Sequence, residues 1–175
     1  ASDVYKRQVV ETDDCNIVDD DFTKIRVAVL EYFKAKGITY YHKKLHEGTL
    51  RHLVIRKAYF ANEILINLVT TSDYVVQDDF VNMLLELNLD GEVKSIYHTK
   101  NDGVSDVVQA DELILVYGKE DIDEELLGLK FKIGPFSFFQ TNSRAAERMY
   151  GRIQELLGEE NLDVLFDLYS GTGTI

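Results

Sequence analysis

Cysteine and long apolar runs are scarce in this sequence. Cys15 is the single cysteine among 175 residues, so an intrachain disulfide is excluded. No apolar run approaches the roughly 20 residues that are needed to cross a bilayer. The opening residues "ASDVYKRQ" also lack the apolar core of a secretory signal. With 45% apolar residues available for a core, we expect a cytoplasmic protein that has no membrane partner.

Positive charge is also in short supply. The chain has 19 Lys and Arg against 31 Asp and Glu, a net charge of -12. This balance argues against a nonspecific binder of phosphate backbones, which needs an excess of cations. Residues 40–57 are the exception, with five Lys or Arg, one Glu and three of the four histidines. Two interpretations stay open: a solvated strand edge, or a local basic face for an anionic partner.

The first eight residues stand apart from the rest of the chain. Within them, "DVYKRQ" matches the translation of a common transposon-end sequencing adapter. We therefore interpret residues 1–8 as a sequencing or assembly scar that carries no functional prediction. On this interpretation we expect the chain to be an internal fragment of a longer protein.

The order of predicted helices and strands differs between the first and the last part of the chain. Residues 9–130 alternate amphipathic helices with paired strands, which predicts an α+β central domain. Residues 131–175 run from extended segments through a helix to a buried strand and a glycine loop, which is how a doubly wound cofactor-binding domain begins. The predicted helices cover residues 22–36, 78–87 and 143–157, and the predicted strands cover residues 50–57, 63–70, 93–100, 112–118, 129–134, 136–139 and 162–170.

A glycine loop follows the last predicted strand. In "DLYSGTGTI", Gly171 and Gly173 let the backbone turn tightly and approach a ligand without a Cβ in the way. Asp167 lies near the carboxyl end of that strand, where ligands of open α/β sheets bind. The loop alone is compatible with S-adenosylmethionine, with a nicotinamide or flavin cofactor, or with an ordinary strand-to-helix turn.

A second motif narrows this choice. "FSFFQTNS", then a helix, then "DLYSGTGT" about 25 residues later together resemble the RNA uracil-5-methyltransferases, which make 5-methyluridine in 23S ribosomal RNA and in tRNA. The resemblance covers residues 9–175 and is most specific over 131–175. It implies an α+β central domain (9–130), followed by the first elements of a Rossmann-like, class I S-adenosylmethionine-dependent methyltransferase domain (131–175).

The resemblance also implies a cofactor site. In that family the glutamine of the Gln-x-Asn motif contacts S-adenosylmethionine, and here it is Gln140. The aromatic residue of the "DLY" step lines the same site, and here it is Tyr169. Gly171 and Gly173 are expected to pass close to the methionine part. Thr174 stands where the family often has Asn, so it is a weaker match to the motif.

Further residues match the family outside the cofactor site. Some members hold a 4Fe-4S cluster, and Cys15 stands where the fourth cysteine ligand would be. Thiolates are the ligands that such clusters require. Arg51, His52 and Arg56 are candidate RNA contacts, although they could equally be the exposed ends of a strand pair.

The resemblance implies no catalytic residue within this chain. In the family, a cysteine thiolate adds to carbon 6 of a flipped-out uracil, and a glutamate removes the carbon 5 proton after methylation. Both match positions beyond residue 175, so we expect the isolated chain to be inactive and to bind RNA weakly. We predict a monomer whose partner is 23S ribosomal RNA rather than tRNA. The alternatives are a class I methyltransferase with another substrate and a noncatalytic α+β binding module.

Overall fold

The computed structural model describes residues 15–104 and 110–158, together with Val164 and Phe166. Its helices are α1 (Asp20–Lys36), α2 (Asp78–Leu85) and α3 (Ser143–Leu157), and its strands are β1 (Leu50–Lys57), β2 (Glu63–Thr70), β3 (Glu92–Lys100), β4 (Glu112–Gly118), β5 (Ile122–Leu126) and β6 (Leu129–Ile133). None of these described helices combines the length and the apolar character that crossing a membrane requires.

Strands β1 to β4 form one mixed sheet in the order β1-β2-β3-β4. The β1–β2 and β3–β4 pairs are antiparallel, whereas β2 and β3 run parallel. A parallel pair needs a crossover connection, and α2 lies in it. The mixed sheet and its helices confirm the α+β content predicted from the sequence. The Rossmann-like arrangement predicted for the residues after 130 stays a prediction.

Helix α1 begins at Asp20, two residues before the predicted start, and ends at Lys36 as predicted. The Asp19 side chain accepts a hydrogen bond from the Asp21 N–H at 3.0 Å, and Gly37 ends the helix at a φ of 66° that favours glycine. The helix packs with α2 against one face of the sheet, and burial of this apolar surface drives the packing. The buried cluster consists of Ile25, Val29, Phe33, Ile64, Ile66, Leu68, Phe80, Leu84 and Ile96.

A hairpin of β5 and β6 covers part of the opposite face of the sheet. Ile122 and Ile133 of the hairpin lie in one buried cluster with Leu65 and Tyr97 of the sheet. The hairpin also packs against α3. That second cluster contains Leu126, Ala146 and Tyr150. Because β6 spans residues 129–133, the domain boundary predicted at residue 130 falls inside this hairpin.

Two differences from the predicted strands lie in this region. Strand β5 is not predicted, because "IDEEL" is dominated by acidic residues, yet Ile122, Glu124 and Leu126 are all buried. The strand predicted over 136–139 is wrong. The chain turns there instead, and the Gly134 N–H donates to the Ser137 Oγ at 3.1 Å. The strand predicted over 162–170 lies outside the described residues.

Candidate functional site

The segment between β6 and α3, residues 134–142, carries the first cofactor residue predicted from the sequence. The Pro135 carbonyl accepts a hydrogen bond from the Arg56 Nε at 3.1 Å, which ties the segment to β1. At its other end, Asn142 is the N-cap of α3, and its side chain accepts from the Ala145 N–H at 3.0 Å. The segment is therefore fixed at both ends.

Side chains of this segment alternate between the core and the solvent. Phe139 is half-buried, and its ring centroid lies 5.8 Å from that of Phe131. Phe138 is 71% exposed, and Gln140 is exposed as well. Both line a cavity of about 490 Å³ between this segment, β1 and the start of α1. The described part of the segment thus presents an exposed amide beside exposed aromatic rings.

Gln140 is the one predicted cofactor residue that lies within the described part of the chain. The other four, Tyr169, Gly171, Gly173 and Thr174, lie outside the described residues. Their assignment to the cofactor site stays a prediction. What the described residues contribute is a fixed backbone that presents the Gln140 side chain to solvent.

Glu124 on β5, for which the sequence gives no functional signal, is a buried carboxylate with 1% exposure. It accepts hydrogen bonds from the backbone N–H groups of Tyr59 at 2.6 Å and Phe60 at 3.0 Å. The Ser143 hydroxyl donates a third at 2.8 Å. These bonds offset the cost of burying a polar group. Glu124 thus joins the β1–β2 turn to the first residue of α3.

The candidate RNA contacts Arg51, His52 and Arg56 all lie half-buried on β1. Arg51 donates to the Asn101 carbonyl at 2.9 Å, and its guanidinium lies 4.3 Å from the centroid of the Tyr41 ring. Arg56 binds the segment before α3, and burial lowers the pKa of its guanidinium. Both arginines therefore hold other parts of the chain in place. A role in RNA binding stays a prediction.

Lys57 ends β1 among carboxylates. Its Nζ lies 2.9 Å from Asp19 and 2.8 Å from Asp21, which is fully buried. Asp21 also accepts hydrogen bonds from the backbone N–H groups of Asp90 and Gly91. Burial by itself raises the pKa of Asp21, but these bonds outweigh it and lower that pKa below its ordinary value. Lys57 is thus neutralised within the fold rather than presented to an anionic ligand.

Cys15 lies exposed at the start of the described residues. It lines a cavity with Phe22 and Leu53. Within residues 15–104 and 110–158, no group of three or more His, Cys, Asp or Glu side chains is placed to hold a metal ion. A 4Fe-4S cluster is held by several thiolates, and the sequence has one cysteine. These residues alone therefore do not fit such a cluster.

Known proteins resemble this chain over nearly its whole length. No family model matches. Relatives from Clostridium tetani and Caldanaerobacter subterraneus subsp. tengcongensis, both named uncharacterized RNA methyltransferases, are 48% and 49% identical over 168 residues. Each match covers 95% of the chain but 37% of the relative, so the chain spans well under half the length of these relatives. The chain is homologous to a segment of the RNA methyltransferases.

The fold is similar to that of a solved structure. This is the tRNA (uracil-54, C5)-methyltransferase of Pyrococcus abyssi in complex with S-adenosyl-L-homocysteine. It matches with a TM-score of 0.74 and 30% identity, over 95% of this chain and 39% of that one. With the relatives, this match confirms the resemblance to the RNA uracil-5-methyltransferases that the two motifs predict.

Proposed function

We propose that this chain is part of an S-adenosylmethionine-dependent RNA methyltransferase that methylates carbon 5 of a uridine. The observation that carries the proposal is the exposed side-chain amide of Gln140. Its backbone segment is fixed on one side by the hydrogen bond from Arg56 to Pro135 and on the other by the N-cap of α3. The homology to RNA methyltransferases over 95% of the chain supports the reaction class. The S-adenosyl-L-homocysteine bound in the Pyrococcus abyssi structure supports the choice of cofactor.

The cofactor site in this proposal combines the segment before α3 with the glycine loop. S-adenosylmethionine supplies the methyl group when it is bound. Gln140 and Tyr169 contact it through their side chains, and Gly171 and Gly173 let the backbone approach it. Thr174 takes the polar contact position at the end of the loop, where the family often has Asn. Residues 9–130 form the central domain, and residues 131–175 begin the domain that holds the cofactor.

The RNA target is proposed as 23S ribosomal RNA. A second candidate is tRNA, because the solved structure similar to this chain is a tRNA methyltransferase. Transfer of a labelled methyl group to transcripts of 23S ribosomal RNA and of tRNA distinguishes the two. Label in tRNA alone would contradict the first candidate.

No residue of this chain is proposed as nucleophile or base. The cysteine and the glutamate that perform these steps in the family match no position here, so the 175-residue chain alone is proposed to be inactive. The proposal also places the enzyme in the cytoplasm as a monomer. Ligation of an iron–sulfur cluster by Cys15 stays a prediction that depends on cysteines other than those of this chain.

The test is the replacement of Gln140 in the protein encoded by the complete reading frame that holds these residues. Loss of one hydrogen bond to the cofactor corresponds to about a tenfold rise in its dissociation constant. We expect that rise for Gln140→Ala, measured by calorimetry with S-adenosyl-L-homocysteine. Gln154→Ala is the matched control, because Gln154 is an exposed glutamine on α3 and its loss should leave the affinity unchanged.

The outcomes separate the proposal from its alternatives. Equal affinity in wild type and Gln140→Ala would contradict the cofactor site. Tight cofactor binding without methyl transfer to any uridine would favour a methyltransferase with another substrate. Absence of cofactor binding by the wild-type protein would favour a noncatalytic binding module.

A further inference from the structure

Two aromatic side chains lie exposed next to each other at the β1–β2 turn. Tyr59 is 51% exposed, and Phe60 is 45% exposed. Their ring centroids lie 5.0 Å apart in an edge-to-face arrangement, which is a favourable geometry for an aromatic pair. Large apolar side chains that are exposed side by side mark interaction surfaces more than isolated ones do.

The buried carboxylate of Glu124 holds this turn against helix α3. It accepts the backbone N–H groups of Tyr59 and Phe60, and it accepts the hydroxyl of Ser143 at the start of α3. The turn and the helix are therefore fixed relative to each other. A surface that is fixed before its ligand arrives loses less conformational freedom when the ligand binds.

Helix α3 places arginines beside the exposed rings. Arg144, Arg148 and Arg152 follow one another at intervals of four residues, so they lie on one face of the helix, about 6 Å apart along its axis. All three are exposed. The guanidinium of Arg144 lies 5.8 Å from the centroid of the Tyr59 ring. The arginine face of α3 therefore begins at the aromatic turn.

The carboxylates of α3 bind groups of the protein itself. Glu147 accepts a hydrogen bond from the Leu127 N–H at 3.1 Å, and Glu155 forms an ion pair with Arg152 at 2.6 Å. Glu147 also lines a cavity with Glu125 and Phe60. An anionic ligand is therefore attracted to the side of the turn that carries Tyr59 and Arg144, and it is repelled from the side that carries Phe60.

The aromatic turn and the arginine face adjoin the Gln140 cavity. Lys57 and Ser143 line that cavity, and Tyr59 and Arg144 follow them in the chain by two residues and by one. A strand of RNA with one nucleotide at this cavity therefore has its neighbouring nucleotides within reach of Tyr59 and Arg144.

We propose that Tyr59, Arg144 and Arg148, which we call the turn–helix surface, bind single-stranded RNA. A base stacks on the Tyr59 ring, and the two guanidinium groups donate hydrogen bonds to phosphates. The proposal deepens the proposed function, on which it rests for the choice of RNA as partner. Stacking on an aromatic ring is sequence-tolerant, so this surface holds the strand beside the target without selecting the target uridine.

The test uses the protein encoded by the complete reading frame and a labelled oligouridine of about ten nucleotides. Fluorescence anisotropy measures the affinity at several salt concentrations. Each phosphate contact contributes about 0.7 to the magnitude of the slope of log affinity against log salt for a single strand. We expect Arg144→Ala/Arg148→Ala to lower that magnitude by about 1.4. Lys130→Ala/Lys132→Ala removes the same charge from exposed positions on β6 and should leave the slope unchanged.

The stacking contact is tested by replacing Tyr59. We expect Tyr59→Ala to weaken oligouridine binding about tenfold, because it removes the ring on which the base stacks. Glu124 accepts the backbone N–H of Tyr59, so this bond is kept in the variant. Tyr59→Phe keeps the ring and should bind like wild type. Tyr117→Ala is the control, because Tyr117 is an exposed aromatic residue on β4.

Two results would overturn the proposal: equal effects of the arginine and lysine pairs on the salt slope, or an unchanged affinity in Tyr59→Ala. Thermal unfolding of each variant verifies that the fold is kept. If Tyr59→Ala lowers the thermal stability of the complete protein but binds oligouridine like wild type, the turn–helix surface contacts another part of that protein rather than RNA.

Methyl transfer by the complete protein, assayed in the same variants, keeps this failure distinct from that of the proposed function. If uridine is methylated but the Tyr59 and arginine variants bind like wild type, the proposal for the turn–helix surface alone is wrong. If oligouridine binding depends on this surface but the wild-type protein methylates no uridine, the proposed function alone is wrong.

Discussion

The hydroxyl of Ser143 donates a 2.8 Å hydrogen bond to the carboxylate of Glu124, so the first residue of α3 is tied to β5. The same carboxylate accepts the backbone N–H groups of Tyr59 and Phe60 in the β1–β2 turn. One buried side chain therefore joins three elements that are distant in sequence. The position of the Gln140 segment, which leads into α3, depends on this connection.

Replacing Glu124 by Gln should destabilise the protein. The amide of glutamine has one acceptor oxygen, so its NH₂ group would face an N–H or hydroxyl donor at this buried position. A buried donor left unsatisfied costs about 1–3 kcal/mol, and we expect a loss of about 2 kcal/mol in the free energy of unfolding in urea. Glu125→Gln changes an exposed neighbour on the same strand and should stay within experimental error. Equal stability of the two variants would show that Glu124 does not accept the hydrogen bonds from Tyr59, Phe60 and Ser143.

Asp21 should make the stability depend on pH in the acid range. Burial opposes its ionisation, but bonds from Lys57 and from two backbone N–H groups lower its pKa below the ordinary 3.8. Stability from the ionised form is therefore fully present above the unfolded-state value and disappears as the pH falls through the folded-state value. Removing one partner of a buried pair costs about 3 kcal/mol, and we expect that loss for Asp21→Asn at neutral pH.

The difference between wild type and Asp21→Asn should shrink as the pH falls below 3.8, because protonation removes the same charge from the wild type. Urea unfolding of both proteins at neutral pH and at several acid pH values measures this difference in the free energy of unfolding. Asp20→Asn is the control, since Asp20 is the exposed neighbour at the start of α1. A difference that stays constant down to the lowest pH would contradict the assigned pairing with Lys57.

Gly48 should tolerate alanine far less well than Gly37 does. Both have positive φ, 103° and 66°, a conformation that costs other residues about 1–2 kcal/mol. At Gly37 a Cβ meets open space, whereas at Gly48 it would collide with the Tyr40 carbonyl. We expect Gly37→Ala to cost about 1 kcal/mol in urea unfolding. Gly48→Ala should cost more free energy of unfolding than Gly37→Ala. It should also speed amide exchange at His42, whose N–H donates to the Glu47 carbonyl beside Gly48. Unchanged exchange at His42 would contradict this turn geometry.

Local signals account for the elements that the sequence predicts correctly. Asp19 and Gly37 mark the ends of α1, and Asn142 caps α3. Apolar runs with turn residues between them reveal β1 and β2 as a hairpin. These features act through neighbours in sequence, so the sequence alone is enough to place them.

Tertiary partners account for what the sequence does not predict. "IDEEL" is a polar stretch in sequence, and its central carboxyl group, Glu124, is buried with the help of distant donors from residues 59, 60 and 143. "FSFF" reads as a strand, but the Gly134–Ser137 turn and the Arg56 bond divert the chain. The hydrogen bonds from Arg51 to the Asn101 carbonyl and from Arg56 to the Pro135 carbonyl likewise cannot be predicted from the sequence. Of the candidate site, Gln140 and the Asn142 cap of α3 can be predicted from the sequence. The side chains that hold this segment in place, Arg56 and Glu124, cannot.

The bond between Arg56 and Pro135 joins positions 79 residues apart, and this separation has a consequence for synthesis on the ribosome. At about 5–20 residues per second, Pro135 emerges about 4 to 16 s after Arg56. The sheet is complete at Gly118, before either strand of the β5–β6 hairpin has been made. In the nascent chain, Leu65 and Tyr97 therefore stay exposed until Ile122 and Ile133 have been synthesised and cover them. During this interval the sheet presents an apolar surface of the kind that chaperones bind.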